Sequence, residues 1–257
     1  MKKKLLKVIE KFGYTISKSS PTIIGKYKDI KEPEFWEIYN LCNSYSMTSV
    51  ERMYSLFSSV NYVLTNNIKG DFVECGVWRG GSSMVIAKML SNRNITDRKL
   101  YLYDTFEGMS EPTENDKDLK GKKASESLKE DTQNKDKETS IWCLADLSDV
   151  KKNLKLTNFT SENIIYVKGK VEDTIPETVP QSNIALLRLD TDWYESTKHE
   201  LIHLFPKLET NGILIIDDYG HWEGCKKAVD EYLKENRINI LLNRVDYTGR
   251  VAIKTKS

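Results

Sequence analysis

Apolar and polar positions along the chain follow two different periods. Between residues 34 and 67, apolar side chains recur at three- and four-residue steps, which is the period of amphipathic helices. From Asp71 onward, they form short continuous runs of strand character. Five such runs occur in the order DFVECGV, KLYLYDTF, NIIYVKG, IALLRLD and GILIID, and amphipathic segments follow the fourth and the fifth. This alternation predicts an α/β fold with a mostly parallel sheet and helices on both of its faces.

The C-terminal end of the chain departs from the parallel pattern. Its last two apolar runs, INILLN and GRVAIKT, are separated by a short turn-like stretch and predict a hairpin. The last strand of the sheet is therefore expected to be antiparallel. We divide the chain into a helical N-terminal extension, residues 1–68, and one main domain, residues 69–257.

Residues 107–147 interrupt the alternation directly after the second strand. They are polar and crowded with charges of both signs, so they cannot supply a core strand. Long insertions beside a ligand-binding strand end are often lids, whereas this composition also suits a solvated loop without a role. We predict a mobile insertion and leave both alternatives open.

Composition restricts the partners and the compartment. The 257 residues suffice for one large core, and 39 Lys+Arg against 38 Asp+Glu leave a net charge of +1, which offers no global field for nucleic acid. The four cysteines lie far apart without a CxxC pair, which is typical of a reducing compartment. We therefore expect a cytoplasmic protein.

The N-terminus reads MKKKLLKVIEKFGY, and its apolar run is too short for an export signal. Leu5, Leu6, Val8, Ile9 and Phe12 could form the apolar stripe of a basic surface helix that packs on the protein or touches an anionic membrane. No stretch approaches the roughly 18 apolar residues of a membrane span. The apolar helices of the extension also offer an interface for a homo-oligomer.

Unusual carboxylates follow the predicted strands. Ligands of open parallel sheets bind beyond the carboxyl ends of the strands. At the end of the first strand, Glu74 precedes a turn that contains Gly76, Gly80 and Gly81, where missing side chains would let a ligand approach the backbone. At the end of the second, Asp104 could accept hydrogen bonds from a ribose diol.

The glycine spacing distinguishes between cofactors. A dinucleotide site wants G-x-G-x-x-G, whereas this turn reads G-x-x-x-G-G with Glu74 two positions before the first glycine. A carboxylate in that place would repel a pyrophosphate but can accept hydrogen bonds from a cation. S-adenosylmethionine fits, because it carries an ammonium, a sulfonium and a ribose but no phosphate.

Two further strand ends, LLRLDTDWYEST and ILIIDDYG, each finish in a pair of aspartates. Asp190, Asp217 and Asp218 are hard oxygen donors of the kind that Mg²⁺ or Mn²⁺ prefers. A capping pair at a strand-to-helix turn would explain Asp217 and Asp218, but it would not explain Asp190 and Asp192 on a different strand.

Together, the segments DFVECGVWRGGSS, LYDTFEGM, LLRLDTDWYEST and LIIDDYGHWEG resemble the macrocin O-methyltransferase family, from about Thr48 to about Tyr232. The resemblance implies a class I methyltransferase fold, with a Rossmann-like seven-stranded sheet whose last strand is antiparallel. It also implies metal-dependent transfer of a methyl group from S-adenosylmethionine to a sugar hydroxyl of a natural product. A polysaccharide precursor is an equally plausible acceptor.

The resemblance also implies roles for individual residues. The methionine end of the cofactor would be held by the first strand and its turn, at Glu74, Gly76, Val77, Trp78, Gly80, Gly81 and Ser82. Asp104 would bind the ribose, with Thr105 and Phe106 beside the adenosine. Adenine contacts would fall at Gly169 and Glu172, and Asp190 would also border the cofactor. The metal ligands would be Asp190, Asp217 and Asp218, and the general base would be Asp192.

Three other classes of protein stay open on the residues alone. A nicotinamide dehydrogenase would use a similar sheet but lacks its glycine spacing here. A metal-dependent hydrolase would explain the aspartates while leaving Glu74 and Asp104 without a role. A non-catalytic cofactor-binding module would not need Asp192.

Histidines and aromatic residues near these motifs offer further candidates. His199 and His203 lie four residues apart among apolar neighbours and are interpreted as structural. His221 could instead support the metal site by contacting the residues that bind the metal. Residues that could line an aromatic cleft for a pyranose ring are Tyr45, Met47, Trp142, Trp193, Tyr194, Tyr219 and Trp222.

Overall fold

The computed structural model describes residues 23–131 and 140–256, and the chain divides into two compact units, residues 1–37 and 38–257. In the described part of the first unit, helix α1 spans Ile23–Lys26, and the indole Nε1 of Trp36 donates to the carbonyl of Ile30 at 3.0 Å. The predicted apolar stripe of Leu5, Leu6, Val8, Ile9 and Phe12 lies outside the described residues. The predicted domain boundary at residue 68 stays a prediction.

Seven strands form one sheet, in the order β3-β2-β1-β4-β5-β7-β6. The strands are β1 (Asp71–Cys75), β2 (Leu100–Asp104), β3 (Ile164–Lys168), β4 (Ile184–Leu189), β5 (Leu208–Ile216), β6 (Asn243–Arg244) and β7 (Arg250–Ile253). Strands β1 to β5 are parallel to one another, and β7 pairs antiparallel with both β5 and β6. The predicted fold class, including the antiparallel last strand and the terminal hairpin, is confirmed.

The helical period at residues 34–67 corresponds to two helices, α2 (Pro33–Cys42) and α3 (Val50–Thr65). The later helices lie between strands along the chain. They are α4 (Gly81–Asn92), α5 (Ala124–Asp131), α6 (Leu147–Lys155), α7 (Val171–Thr174), α8 (Tyr194–Leu204) and α9 (Glu223–Glu235). Strands β1 and β4 are buried along their whole length, which explains why their apolar runs are continuous rather than alternating. None of the helices that the structure describes is both long and apolar enough to cross a membrane.

The structure corrects the position of the sixth strand. The run INILLN predicts a strand, but β6 contains only Asn243 and Arg244, and Leu241 is 81 % exposed. Ile238, Ile240 and Leu242 instead pack partly against the main core. The run lies at the edge of the sheet, where the short strand β7 offers it only two pairing positions. Apolar side chains there are buried by packing rather than by strand pairing.

The described part of the polar insertion is folded against the main domain. Its helix α5 buries Ala124 and Leu128 against Trp193. Asp116 is fully buried, and its carboxylate accepts hydrogen bonds from the backbone N–H of Thr113 at 2.6 Å and of Tyr194 at 2.8 Å. Polar composition concealed this packing, because a buried carboxylate with backbone donors cannot be distinguished in sequence from a solvated one. Residues 132–139 lie outside the described residues, and the lid stays a prediction.

Candidate active site

A cavity of about 290 Å³ opens at the carboxyl ends of β1, β2, β4 and β5. The predicted site residues that line it are Gly76, Val77, Trp78, Ser82, Asp104, Thr105, Gly169, Glu172, Asp190, Asp192, Asp217 and Asp218. Within the described chain, the predicted residues outside this lining are Glu74, Gly80, Gly81 and Phe106. The structure therefore brings most of the predicted cofactor residues and all four aspartates to one cavity.

Arg188 lines the cavity and connects the strand ends there. It is the register partner of Glu74 across β4 and β1, and its side chain is only 3 % exposed. Nη1 lies 2.5 Å from Glu74 Oε1 and 2.8 Å from Asp190 Oδ2, while Nη2 lies 2.7 Å from Asp217 Oδ1. Because alternate residues of a strand share a face, these carboxylates meet one guanidinium. A buried arginine thus compensates three of the acids.

Glu74 is consequently a buried partner of Arg188 rather than a wall of the cavity. Its other oxygen accepts a hydrogen bond from the Ser83 hydroxyl. Burial raises the pKa of Glu74, opposed by the Arg188 charge and by the hydrogen bond from Ser83. The argument that this acid repels pyrophosphate from the glycine turn therefore loses its geometric basis.

Asp217 is held between two arginines. Besides the contact with Arg188, its Oδ2 contacts Nη1 of Arg52 on α3. Arg52 lines the cavity, and its Nε lies 3.1 Å from Asp246 Oδ2. Asp217 itself is 3 % exposed. Both oxygens of this predicted metal ligand therefore have cationic partners.

The other three aspartates form a group of their own. One oxygen from each of Asp190, Asp192 and Asp218 lies within 4.8 Å of the others. Oδ2 of Asp218 is buried and has no hydrogen-bonding partner among the described residues. Burial raises the pKa of Asp190 and of Asp218 well above its usual range, and neighbouring aspartates add to both shifts. Burial likewise raises the pKa of Asp192 to about 7, opposed by a hydrogen bond with Asp218.

The backbone at Asp192 leaves strand geometry. Its φ angle is 67°, in the left-handed region that few residues other than glycine adopt. Asp190 and Asp192 both line the cavity. Trp78 and Cys143, with φ angles of 47° and 50°, line the same cavity. Non-glycine residues in this region cluster at functional sites, where the surrounding structure holds them in place.

Asp104 connects the first two strand ends. Oδ2 accepts from the backbone N–H of Val77 at 2.6 Å, and Oδ1 accepts from that of Phe106 at 2.6 Å. Burial raises the pKa of Asp104, and these backbone hydrogen bonds oppose the shift. The carboxylate therefore orders the glycine turn, and Asp104 also lines the cavity.

Two glycines of the first turn, Gly76 and Gly81, leave room for other segments of the chain. A Cβ atom on Gly76 would lie 2.1 Å from the carbonyl oxygen of Asp190. On Gly81 it would lie 2.6 Å from that of Tyr45. Close packing of chain segments around the cavity therefore requires glycine at these two positions, and the approach of a cofactor to the turn stays a prediction.

Aromatic and histidine candidates separate into two groups. Tyr45, Met47, Trp193 and Trp222 line the cavity, whereas Trp142, Tyr194 and Tyr219 do not. His199 Nε2 lies 2.8 Å from the carbonyl oxygen of Ile175, and the rings of His199 and His203 are 4.4 Å apart. The ring of His221 packs edge-on against Trp222 at 4.7 Å, and the backbone N–H of His221 donates to the backbone carbonyl of Asp218 at 3.0 Å.

Comparison with known proteins identifies the family. The macrocin O-methyltransferase (TylF) family matches residues 36–254. The chain belongs to this family. Demethyldecarbamoylnovobiocin O-methyltransferase of Streptomyces niveus is 31 % identical over 207 residues, which cover 80 % of this chain and 74 % of the relative. Mycinamicin III 3''-O-methyltransferase of Micromonospora griseorubida is 30 % identical over 206 residues, covering 80 % and 77 %.

A solved structure agrees with this assignment. The O-methyltransferase NovP superposes with a TM-score of 0.68 at 29 % identity, covering 82 % of this chain and 83 % of that one. The chain is therefore an O-methyltransferase of the macrocin family, and the predicted family and enzyme class are confirmed. Membership decides against the dehydrogenase, the hydrolase and the non-catalytic module.

Sequence reasoning missed two residues of this methyltransferase site, Arg188 and Arg52. The sequence did contain a signal for Arg188, because an arginine in the middle of the apolar run IALLRLD has to pair with carboxylates when the strand is buried. The sequence contained no such signal for Arg52, since a charged residue in an amphipathic helix ordinarily faces water. Its contact with Asp217 joins positions 165 residues apart.

Proposed function

We propose that this methyltransferase transfers a methyl group from S-adenosylmethionine to a sugar hydroxyl, with a divalent metal ion and with Asp192 as general base. The acceptor sugar belongs to a natural product or to a polysaccharide precursor. One observation carries the proposal, which is that a single cavity is lined both by the Asp104 turn and by the group of Asp190, Asp192 and Asp218.

The charges and donors of the cavity suit S-adenosylmethionine. Carboxylates of Asp104, Glu172 and Asp190 face the cavity, and they suit a ligand that carries an ammonium and a sulfonium. Trp78 also lines the cavity, and its indole Nε1 is buried without a partner among the described residues. Because buried donors are rarely left unpaired, this N–H is available to an acceptor atom of the cofactor.

The carboxylates also fit a hard divalent cation. Several acids within 4.8 Å of one another, including the unpartnered Oδ2 of Asp218, match the oxygen donors that Mg²⁺ or Mn²⁺ takes. Of the three ligands that the family resemblance implies, Asp190 and Asp218 belong to this group, and Asp217, which contacts Arg52 and Arg188, would complete the set. When bound there, a divalent cation lowers the pKa of a hydroxyl that it touches.

The remaining chemistry belongs to Asp192. A sugar hydroxyl must lose its proton as it attacks the methyl group, and a carboxylate in the cavity wall can accept that proton. Burial raises the pKa of Asp192, which makes its carboxylate a better proton acceptor than an exposed aspartate. Methyl transfer otherwise requires alignment of oxygen, carbon and sulfur, which a preformed cavity provides.

The acceptor side of the cavity favours a sugar ring. Tyr45, Trp193 and Trp222 offer aromatic surface, against which the apolar face of a pyranose can pack. The names of relatives point the same way, since one from Streptomyces olivaceus is a methyltransferase for a rhamnosyl tetracenomycin. A cytoplasmic location and a homo-oligomeric state remain predictions.

Calorimetric titration of the metal-stripped full chain with S-adenosylhomocysteine, Mg²⁺ and NAD tests the cofactor. Binding of S-adenosylhomocysteine but not of NAD supports the proposal, and a folded protein that does not bind S-adenosylhomocysteine overturns it. Methyl transfer is then measured with isotope-labelled S-adenosylmethionine and a panel of deoxyhexose and hexose glycosides.

Asp192→Asn tests the general base. The variant should bind S-adenosylhomocysteine like the wild type and lose methyl transfer by about 10²–10⁴-fold, the usual contribution of a positioned base. Asp97→Asn, at an exposed position, is the matched control. Undiminished transfer by Asp192→Asn overturns the role of Asp192.

A further inference from the structure

Arg52 places a permanent positive charge in the wall of the cavity, beside the carboxylates. Its side chain is 16 % exposed, and its guanidinium contacts Asp217 and Asp246. An arginine keeps its charge at every physiological pH. The carboxylate group of the cavity therefore already has a cationic neighbour before any metal ion binds.

Three segments of the chain hold Arg52 in place. Its backbone N–H donates to the hydroxyl of Ser49, which caps α3, at 3.1 Å, and the same hydroxyl donates to Asp246 Oδ2 at 2.7 Å. Asp246 Oδ1 accepts from the backbone N–H of Gly249 at 2.7 Å. A Cβ on Gly249 would lie 3.0 Å from Cγ and Cδ of Arg52, so the glycine leaves room for the side chain. The guanidinium is thus directed at Asp217 by its surroundings.

The two arginines at Asp217 differ in how firmly they are held. Arg188 contacts three carboxylates and is 3 % exposed, so its position is closely determined. Nε of Arg52 lies near Asp246 but is buried without an aligned hydrogen bond among the described residues. Of the two guanidiniums, that of Arg52 therefore loses less when it moves away from Asp217.

We propose that Arg52 is a positioning residue that occupies Asp217 in the metal-free enzyme and yields this carboxylate to the metal ion. This role rests on the proposed metal dependence. Arg52 and the ion compete for Oδ2 of Asp217, because a guanidinium and a divalent cation at the same oxygen repel each other. Arg52 therefore lowers the metal affinity of the site while keeping Asp217 in the orientation that the ion needs.

Mn²⁺ binding to the metal-stripped full chain, measured by electron paramagnetic resonance of the free ion, tests this role. Arg52→Gln keeps a donor for Asp217 but removes the charge, and it should bind Mn²⁺ about tenfold more tightly than the wild type. Arg52→Lys keeps the charge and should stay within about threefold of the wild type. Arg244→Gln, at an exposed position, removes the same charge elsewhere and should leave the affinity unchanged.

A second measurement uses the wild type alone and therefore does not depend on whether Arg52→Gln folds. In wild-type protein with isotope-labelled arginine side chains, Mg²⁺ should shift the guanidinium signal of Arg52 towards that of solvent-exposed arginines, while the signal of Arg188 keeps its hydrogen-bonded position. An Arg52 signal that Mg²⁺ saturation leaves unmoved overturns the competition.

The outcomes separate the two proposals. If the wild type binds Mn²⁺ and Arg52→Gln binds it equally well or more weakly, the role of Arg52 is overturned and the proposed function stays intact. Binding to neither protein overturns the proposed metal dependence, and the role of Arg52 with it.

Discussion

Arg188 and Glu74 are register partners on adjacent parallel strands, and Nη1 of Arg188 donates to Oε1 of Glu74 at 2.5 Å. Neither side chain is more than 3 % exposed. Arg188 lines the cavity whereas Glu74 does not, and the same guanidinium reaches Asp190 and Asp217. Acids that look in the sequence like separate ligand groups are therefore coupled through one buried arginine.

Removal of that arginine should be costly. Arg188→Met leaves Glu74 and Asp217 buried with less compensation, and breaking a buried ion pair in this way typically lowers the free energy of unfolding by about 3–5 kcal/mol. Urea denaturation of the wild type and the variant measures the loss. Arg244→Met, at an exposed position on β6, should change the free energy of unfolding by less than about 0.5 kcal/mol.

A double variant checks the cause of that loss. Adding Glu74→Gln to Arg188→Met removes the charge that the first change leaves unpaired. The losses of free energy of unfolding in the two single variants should therefore sum to more than the loss in the double variant. Strictly additive losses would show that the charges of Arg188 and Glu74 are not coupled in the folded protein.

Two glycines with nearly the same φ angle allow the cost of backbone strain to be measured apart from the cost of close packing. Gly76 has a φ of 82° and Gly121 a φ of 81°, but only a Cβ on Gly76 would meet a neighbour, the Asp190 carbonyl oxygen at 2.1 Å. Gly121→Ala should lower the free energy of unfolding by about 1–2 kcal/mol, the cost of a left-handed alanine. Gly76→Ala should cost at least about 3 kcal/mol, because β1 and β4 must also separate.

Urea denaturation measures both alanine variants. Equal losses would mean that the contact between Gly76 and Asp190 relaxes without cost. A Gly76→Ala chain that is produced only as insoluble protein, beside a soluble Gly121→Ala chain, agrees with the expected difference in direction.

A buried acid outside the cavity should make stability depend on pH. Glu200 on α8 is fully buried, and Thr191 donates to its two oxygens at 3.0 and 3.2 Å. Burial raises the pKa of Glu200 well above its usual range; the Thr191 bond opposes the shift, and the charges of Glu172 and Asp190 increase it. Between the unfolded value of about 4.3 and the raised folded value, the folded protein binds more protons than the unfolded chain. This group therefore lowers the free energy of unfolding as the pH rises through that window.

Glu200→Gln tests the sign. Glutamine is neutral at every pH and its Oε1 still accepts from Thr191, so the variant should gain stability over the wild type as the pH rises from about 5 to 8. Urea denaturation across this range measures the difference, with exposed Glu177→Gln as the control. A difference that does not change with pH would contradict the assignment to Glu200.

The pattern of residues determined the architecture and the location of the site. Apolar runs and helical periods are local properties, so the order of strands and helices could be predicted from them. Because the carboxyl ends of parallel strands share one edge of a sheet, Asp104, Asp190 and Asp217 could be placed together before any coordinates.

Only the tertiary structure decided the partners of those acids. The contacts of Arg188 with Glu74 and of Arg52 with Asp217 join positions 114 and 165 residues apart. The burial of Asp116 within the polar insertion was equally hidden. A local pattern determines which face a side chain occupies, but not which distant element packs against that face. Whether a carboxylate meets a backbone donor, a guanidinium or open space depends on that packing, and so do its charge and its role.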